Sequence, residues 1–126
     1  MKSAQTPLHK VQGMGASHSG TGHFWRTGVT SIALIPLSLW FGFVMLGLVD
    51  TNEVVWVQFL AHPWNALLMA AFAVTSLYHM SLGLQVVIDD YVHTAGMKIF
   101  LLIAVRCVVI AIIATCVFAL IRIASV

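Results

Sequence analysis

Three long apolar segments constrain this sequence more than any other feature. Residues 29–49 and residues 66–88 contain no Asp, Glu, Lys or Arg, and residues 99–121 contain a single arginine. A helix needs about 20 predominantly apolar residues to cross the roughly 30 Å hydrocarbon core of a bilayer, so each segment is long enough to span it. The sequence therefore predicts an all-α integral membrane protein with three transmembrane helices.

The composition supports the same class. Of the 126 residues, 60% are hydrophobic and 8% are charged, whereas a soluble domain carries roughly 25% charged residues. A formal net charge of +2, without a basic cluster, argues against nucleic acid as a partner. We expect an irregular tail rich in Gly, Ser, Thr and His at residues 1–22, followed by one three-helix membrane domain at residues 23–126.

The positions of lysine and arginine predict the orientation in the membrane. Lys2, Lys10 and Arg26 precede the first span, Lys98 follows the second span, and the opposite side carries only Arg122. Because cytoplasmic loops carry the excess of these residues, we expect a cytoplasmic N-terminus and a periplasmic C-terminus. The tail lacks the apolar core of a signal peptide and the arginines of a mitochondrial presequence, which favours the cytoplasmic (inner) membrane of a bacterium.

His79 lies inside the second span, where an ionisable residue is costly and usually functional. Two interpretations are open: a neutral histidine that hydrogen-bonds across a helix interface, or an axial ligand of haem iron. Gly83 lies one turn further along the same face, where the missing side chain would let a flat macrocycle or another helix approach closely. Since the bundle offers one such histidine, the haem interpretation predicts a second ligand from another chain.

Asp90 and Tyr91 follow the second span where it meets water. Eleven residues at ~100° each put Asp90 within about 20° of the face of His79, roughly 16 Å along the helix axis. The pair is either an ordinary helix end with an interfacial tyrosine or part of a quinone site. A tyrosine hydroxyl can donate to a quinone carbonyl, and a carboxylate at the interface can relay the protons that quinone reduction consumes.

Two arginines lie at or inside the spans. Arg26 begins the first span, and it either anchors the helix at the interface or pairs with an anionic group such as a haem propionate or a quinone oxygen. Arg106, inside the third span, either snorkels to the cytoplasmic interface or faces an anionic group in the bundle. The three histidines nearest the N-terminus, His9, His18 and His23, match no helical metal-ligand spacing.

The spaced pattern of His79, Gly83, Asp90 and Tyr91 on a second membrane helix resembles the small hydrophobic anchor subunit of succinate dehydrogenase, complex II. The resemblance extends to residues 24–31, whose arginine resembles the family's arginine at the start of its first span. Three spans, a cytoplasmic N-terminus and a similar length also fit. The resemblance covers about residues 20–126.

The resemblance implies a subunit of the respiratory chain and tricarboxylic acid cycle that is not catalytic alone. Such a subunit pairs with a second, cytochrome-b-type anchor in a six-helix bundle and holds a flavoprotein and an iron–sulfur protein at the cytoplasmic face. Electrons from succinate then reach ubiquinone, bound where the iron–sulfur protein meets the anchors.

The same resemblance implies roles for individual residues. His79 would be this chain's axial ligand to haem b, which is shared with the second anchor. Tyr91 would donate to a quinone carbonyl, and Asp90 would support that site or its proton supply. Arg26 would lie near the haem propionates or the quinone, whereas Arg106 has no counterpart in the pattern.

Two other functions fit parts of the pattern. The same residues could serve a quinol:fumarate reductase, because the direction of electron flow depends on potentials that this chain does not encode. An alternative of a different class is a small transporter or a structural subunit without a cofactor, with His79 and Arg106 lining a polar path. The single buried histidine, without a paired ion site or an internal repeat, argues against transport.

Overall fold

The computed structural model describes Thr6, Leu8 and residues 19–125. Within residues 19–125 the chain forms four helices and no strand, which confirms the predicted all-α class. In chain order the helices are α1 (Ser19–Leu48), α2 (Glu53–Ala61), α3 (Pro63–Tyr91) and α4 (Ala95–Ala124).

Helices α1, α3 and α4 are long and apolar enough to cross a membrane, which confirms the three predicted transmembrane helices. They contain 30, 29 and 30 residues. At ~1.5 Å per residue each is roughly 45 Å long, more than the ~30 Å hydrocarbon core requires. The helix ends therefore reach beyond the hydrocarbon core, and the residues at these ends lie where the membrane meets water.

α1 begins earlier than the sequence predicted. Residues 19–22, which the sequence analysis placed in the irregular tail, form the first turn of this helix. The Nε atom of Arg26 donates a hydrogen bond to the Gly22 carbonyl at 3.1 Å and so ties the added turn to the one that follows.

The connection between α3 and α4 is shorter than the gap between the predicted spans at residues 66–88 and 99–121. Only residues 92–94 lie outside the two helices, because α3 continues through Tyr91. The Nζ atom of Lys98 lies 2.8 Å from Oδ1 of Asp89, which joins the last turn of α3 to the first turn of α4. Asp89 thus belongs to the last turn of α3.

The short helix α2 has clear start and stop signals. The side-chain oxygen of Asn52 caps it by accepting the N–H of Val55 at 3.2 Å. It stops before His62, which adopts an extended conformation (φ −71°, ψ 123°) because the residue before a proline is disfavoured in a helix. Pro63 then occupies the start of α3, where its missing N–H leaves no hydrogen bond unmade.

α3 is the central helix and packs against both α1 and α4. Few side chains are buried between the three long helices. The buried residues of the described part are Ala66, Ser81, Leu82, Ile88 and Val109. Most large apolar side chains of the spans face outward, as expected for helices whose surroundings are lipid or other membrane helices.

Two aromatic contacts join the helices away from the Asp89–Lys98 ion pair. The rings of Phe41 on α1 and Phe72 on α3 stack with centroids 4.5 Å apart. Trp40 on α1 and Phe59 on α2 stack at 6.5 Å. These contacts hold α2 and the first half of α3 against α1.

Candidate functional site

His79 lies in the second half of α3 and forms a hydrogen bond to α1. Its Nδ1 atom lies 2.8 Å from the hydroxyl oxygen of Thr30. The imidazole is half-buried, and its Nε2 atom has no hydrogen-bond partner among the described residues. One ring nitrogen is therefore held by this chain, and the other is available to a group outside it.

The sequence analysis did not single out Thr30 as a site residue. Its hydroxyl also lies 2.8 Å from the Arg26 carbonyl and 3.0 Å from the Thr27 carbonyl, so it is held against its own helix. The available clue was a hydroxyl one helical turn after an arginine at the head of an apolar span. That clue does not reveal the partner, because His79 is 49 residues away in the chain.

Gly83 lies one turn from His79 and faces outward. A Cβ atom built at this position would meet nothing within 4 Å. No other part of the described chain therefore uses the space that this glycine leaves. The surface of α3 at Gly83 is therefore open to a ligand or to another subunit.

Arg26 and Arg106 line one cavity of about 290 Å³ between α1, α3 and α4. Tyr78 and Gln85 of α3 line it as well. The sequence analysis named both arginines but did not pair them, since they lie on different helices. Neither guanidinium forms an ion pair with a described residue, so the cavity has an uncompensated positive lining.

A second cavity, of about 460 Å³, lies between the first turns of α1 and the last turns of α3. Arg26, His23, Asp89 and Asp90 contribute its polar lining. The structure thus brings Asp90 together with Arg26, which lines both cavities.

His23 belongs to α1, within the membrane domain predicted at residues 23–126. Its Nε2 atom is buried and has no hydrogen-bond partner. A buried, unpaired ring nitrogen beside a carboxylate-lined cavity is a polar group that sequence reasoning missed. His9 and His18 lie outside the residues that the structure describes.

Tyr91 is the last residue of α3, and 80% of its surface is exposed. It is not among the residues that line the cavity with Asp90, because successive residues of a helix point ~100° apart. The two predicted quinone-site residues are therefore adjacent in the chain but face different surroundings. Asp90 faces the opening toward α1, and the Tyr91 hydroxyl faces away from the subunit.

No group of three or more His, Cys, Asp or Glu side chains that could hold a metal ion occurs in the described part of the chain. His79 therefore belongs to no such group. A metal bound to it would need its remaining ligands from a cofactor or from another subunit. Cys107 and Cys116 are both free thiols.

Comparison with known proteins extends these observations. Residues 2–113 match the profile of the family described as succinate dehydrogenase/fumarate reductase transmembrane subunit. The chain belongs to this family. Membership, together with the three spanning helices, places the protein in a membrane, and the predicted resemblance to the succinate dehydrogenase anchors is confirmed.

Three similar proteins from bacteria share the name succinate dehydrogenase hydrophobic membrane anchor subunit. The chain is 35% identical over 99 residues to the succinate dehydrogenase hydrophobic membrane anchor subunit of Rickettsia bellii, a match that covers 77% of this chain and 78% of that one. It is 30% identical over 100 residues to the subunit of that name from Paracoccus denitrificans, covering 79% and 78%. With the Rickettsia felis subunit the identity is 33% over 113 residues, covering 88% and 92%. No solved structure gives a significant match.

Proposed function

We propose that this chain is a membrane anchor subunit of a succinate:quinone oxidoreductase. In that role it holds a flavoprotein and iron–sulfur head on the membrane, supplies one axial ligand to haem b and contributes to the ubiquinone reduction site. Family membership and the names of the relatives support the anchor role. One observation carries the cofactor role: His79 bonds to Thr30 through Nδ1 and leaves Nε2 without a partner in the described chain.

The surroundings of His79 fit a haem group. Its Nε2 atom offers the imidazole nitrogen that haem iron takes as an axial ligand. The open space beside Gly83 supports the close approach of a flat ring, because a side chain at that position would occupy it. When bound, haem b would supply one-electron storage close to the quinone site.

A second anchor subunit would complete the site. Among the described residues, no group of three or more His, Cys, Asp or Glu side chains could hold a metal ion, so a second ligand would come from outside this chain. The three long helices also bury few of their own side chains, which leaves broad apolar faces for another set of membrane helices. We propose that a second three-helix anchor packs there, forms a six-helix bundle and supplies the second ligand.

Arg26 and Arg106 would neutralise anionic groups of the bound cofactor or of the quinone. They line the same cavity and lack ion-pair partners among the described residues. An unpaired arginine within a membrane span is costly, so an anionic partner from outside the chain would stabilise it. A guanidinium can bind a carboxylate such as a haem propionate through two parallel hydrogen bonds.

Tyr91 and Asp90 would serve the quinone. The Tyr91 hydroxyl is exposed beyond the end of α3, where it could donate to a carbonyl of a quinone bound between this chain and its partners. Asp90 lines the cavity at the head of α1. From there its carboxylate would pass protons from water to the reduced quinone.

The charges at this end of the bundle support a cytoplasmic orientation. Lys98 contacts Asp89, and Arg26 lines the same cavity as Asp89, so both basic residues lie at one end of the bundle. Arg122 lies near the end of α4, at the opposite side. We propose that the end with Lys98 faces the cytoplasm, where a succinate-oxidising head would dock.

An anchor of a quinol:fumarate reductase is the second candidate, because the family description names both enzymes. The relatives named as succinate dehydrogenase subunits favour the succinate-oxidising direction. The rates of succinate oxidation and fumarate reduction by the purified complex decide between the two. A faster fumarate reduction with a low-potential quinol would favour the second candidate.

The haem role is tested by the dithionite-reduced minus oxidised visible spectrum of the detergent-solubilised complex. We expect a b-type α-band in the wild type, and we expect His79→Ala to lose or shift it. His62→Ala is the matched control, because His62 lies at the start of α3, whereas His79 lies in its second half. A wild-type complex that contains its partners but no haem signal would contradict the haem role.

The quinone role is tested separately with Tyr91→Phe. We expect slower reduction of ubiquinone by succinate, because the variant lacks the donor to the quinone carbonyl. Reduction of a soluble artificial acceptor by the head should be unchanged. Equal ubiquinone rates in the variant and the wild type would remove Tyr91 from the site.

A further inference from the structure

The hydroxyl of Thr30 lies within hydrogen-bond distance of three atoms but has only one proton to donate. Its oxygen lies 2.8 Å from Nδ1 of His79, 2.8 Å from the Arg26 carbonyl oxygen and 3.0 Å from the Thr27 carbonyl oxygen. All three distances are hydrogen-bond distances. A threonine hydroxyl carries one proton, whereas its oxygen can accept from other donors.

Counting the protons decides the direction of the contact with His79. The carbonyl oxygens of Arg26 and Thr27 can only accept. If the Thr30 proton pointed at Nδ1, its oxygen would face two acceptor oxygens with no proton between them. Donation to a carbonyl of the preceding turn, a common arrangement for threonine in a helix, removes this repulsion. The oxygen then accepts from His79, so the imidazole proton lies on Nδ1.

We propose that Thr30 is a positioning residue that holds His79 in the tautomer with its proton on Nδ1 and its lone pair on Nε2. This inference rests on the proposed role of His79 as a haem ligand. A neutral histidine can bind metal through either nitrogen, and the hydrogen bond made by one nitrogen selects the other. In this site the selected nitrogen is Nε2, which has no partner in the described chain.

The acceptor is well suited to this role because it is itself held in place. Thr30 is β-branched, which limits its side-chain rotamers in a helix, and its hydroxyl is bonded to the preceding turn of α1. The bond to His79 crosses from α1 to α3. It therefore sets the direction of the ring relative to two helices, as hydrogen-bond partners of metal-bound histidines commonly do.

The test compares three variants of the complete complex. Thr30→Val removes the hydroxyl at similar volume, and Thr30→Ser keeps the hydroxyl. Thr115→Val is the matched control, because the Thr115 hydroxyl donates to the Ala111 carbonyl at 2.8 Å in the same helical manner but on α4. The readouts are the haem-to-flavin ratio, the haem reduction potential and the low-temperature spectrum of the ferric haem.

We expect Thr30→Val to retain haem roughly tenfold to a hundredfold less tightly, the usual effect of losing such a partner. The haem that is retained should have a higher reduction potential, since an imidazole whose Nδ1–H no longer donates is a poorer donor to ferric iron. Each tenfold loss of preference for the ferric form corresponds to about 59 mV for one electron. Thr30→Ser and Thr115→Val should keep the wild-type ratio, potential and spectrum.

Several results would overturn the proposal. A wild-type potential and spectrum in Thr30→Val would show that the hydroxyl does not act on the iron ligand. Equal haem loss in Thr30→Val and Thr115→Val would show a general packing effect. If Thr30→Val does not assemble, Thr30→Ala and Thr30→Ser decide, since only the serine variant is expected to keep the wild-type potential; matching potentials in these two would also overturn it.

Different results would contradict the proposed role of His79 as a haem ligand. If the wild-type complex contained no haem, or if His79→Ala kept the wild-type band, the ligand role of His79 would fall, and the proposal with it. If His79→Ala loses the band while Thr30→Val is unchanged, only the role of Thr30 falls.

Discussion

The two halves of α3 belong to one helix and have different surroundings. In the first half, Phe72 stacks on Phe41 of α1, and a cavity of about 310 Å³ against α4 is lined entirely by apolar residues. In the second half, His79 bonds to Thr30, and the neighbouring cavity contains two arginines. One half is held by apolar packing, and the other presents polar groups that the subunit does not satisfy by itself.

This difference separates stability from function along a single helix. Unpaired arginines and an imidazole nitrogen without a partner are costly inside a membrane, so they are expected where a ligand completes them. Stacked aromatic rings need no ligand. Substitutions in the second half of α3 should therefore impair cofactor binding or quinone chemistry, whereas substitutions in the first half should lower stability.

The largest effect is expected for Gly83→Leu in the second half. A Cβ at this exposed position would meet nothing within 4 Å in this subunit, so α3 should fold normally. The leucine side chain would occupy the open space one helical turn from His79, and we expect the purified complex to lose most of its haem absorbance. Gly47→Leu is the matched control, because a Cβ there also meets nothing within 4 Å but lies near the far end of α1. Full haem content in Gly83→Leu would show that the cofactor lies elsewhere.

The next largest effect is expected for Asp90→Asn, which keeps the shape of the side chain and removes its capacity to carry a proton. We expect ubiquinone reduction to fall by roughly 10²-fold, the low end of what a positioned proton-transfer group contributes. Haem content and the oxidation of succinate with a soluble acceptor should stay the same. The neighbouring Asp89→Asn serves as the control, and equal losses in both variants would argue against a specific role for Asp90.

A smaller effect of a different kind is expected for Phe72→Ala in the first half. The variant loses the stack with Phe41, a contact worth about 1 kcal/mol beyond the area it buries. Thermal unfolding of the complex should shift to lower temperature while the haem spectrum is preserved. Phe118→Ala is the control, since that ring is 66% exposed. A changed haem spectrum in Phe72→Ala would contradict the proposal that the first half of α3 serves stability and the second half serves cofactor binding.

The smallest effect is expected for Asp89→Asn on stability. Its ion pair with Lys98 is 2.8 Å long, but both side chains are at least a third exposed (35% and 52%). Exposed ion pairs contribute about 0–1 kcal/mol, with much of the attraction screened by solvent. The melting temperature of the variant complex should stay close to that of the wild type, and a shift of many degrees would show that the pair becomes buried when the partners assemble.

The comparison also explains which features could be predicted from the sequence. The three spans follow from long apolar segments, and the prominence of His79 follows from one ionisable side chain within such a segment. The extra first turn of α1 could not be predicted in the same way. Residues 19–22 are polar and rich in glycine, which does not predict a helix. In the structure they are helical, and the Arg26 side chain donates a hydrogen bond to the Gly22 carbonyl.

Contacts between helices were the part that sequence reasoning missed. Thr30 and His79 are 49 residues apart, and no local pattern indicates which hydroxyl faces which imidazole. Arg26 and Arg106 were recognised as unusual charges, yet only the packing of α1 and α4 around α3 brings them to one cavity. His23 carried no assigned role in the sequence, and the structure places it in the lining of one cavity with the carboxylates at the end of α3.

The sequence by itself determined the all-α class, the number of spans and the residue types available for chemistry. These properties depend on hydrophobicity summed over about 20 neighbouring residues, which the bilayer thickness converts directly into helices. Only the tertiary structure decided which of those residues meet, including the bond that leaves Nε2 of His79 without a partner. Such meetings depend on how each helix is rotated against its neighbours, and nearly uniform apolar surfaces carry little information about that rotation.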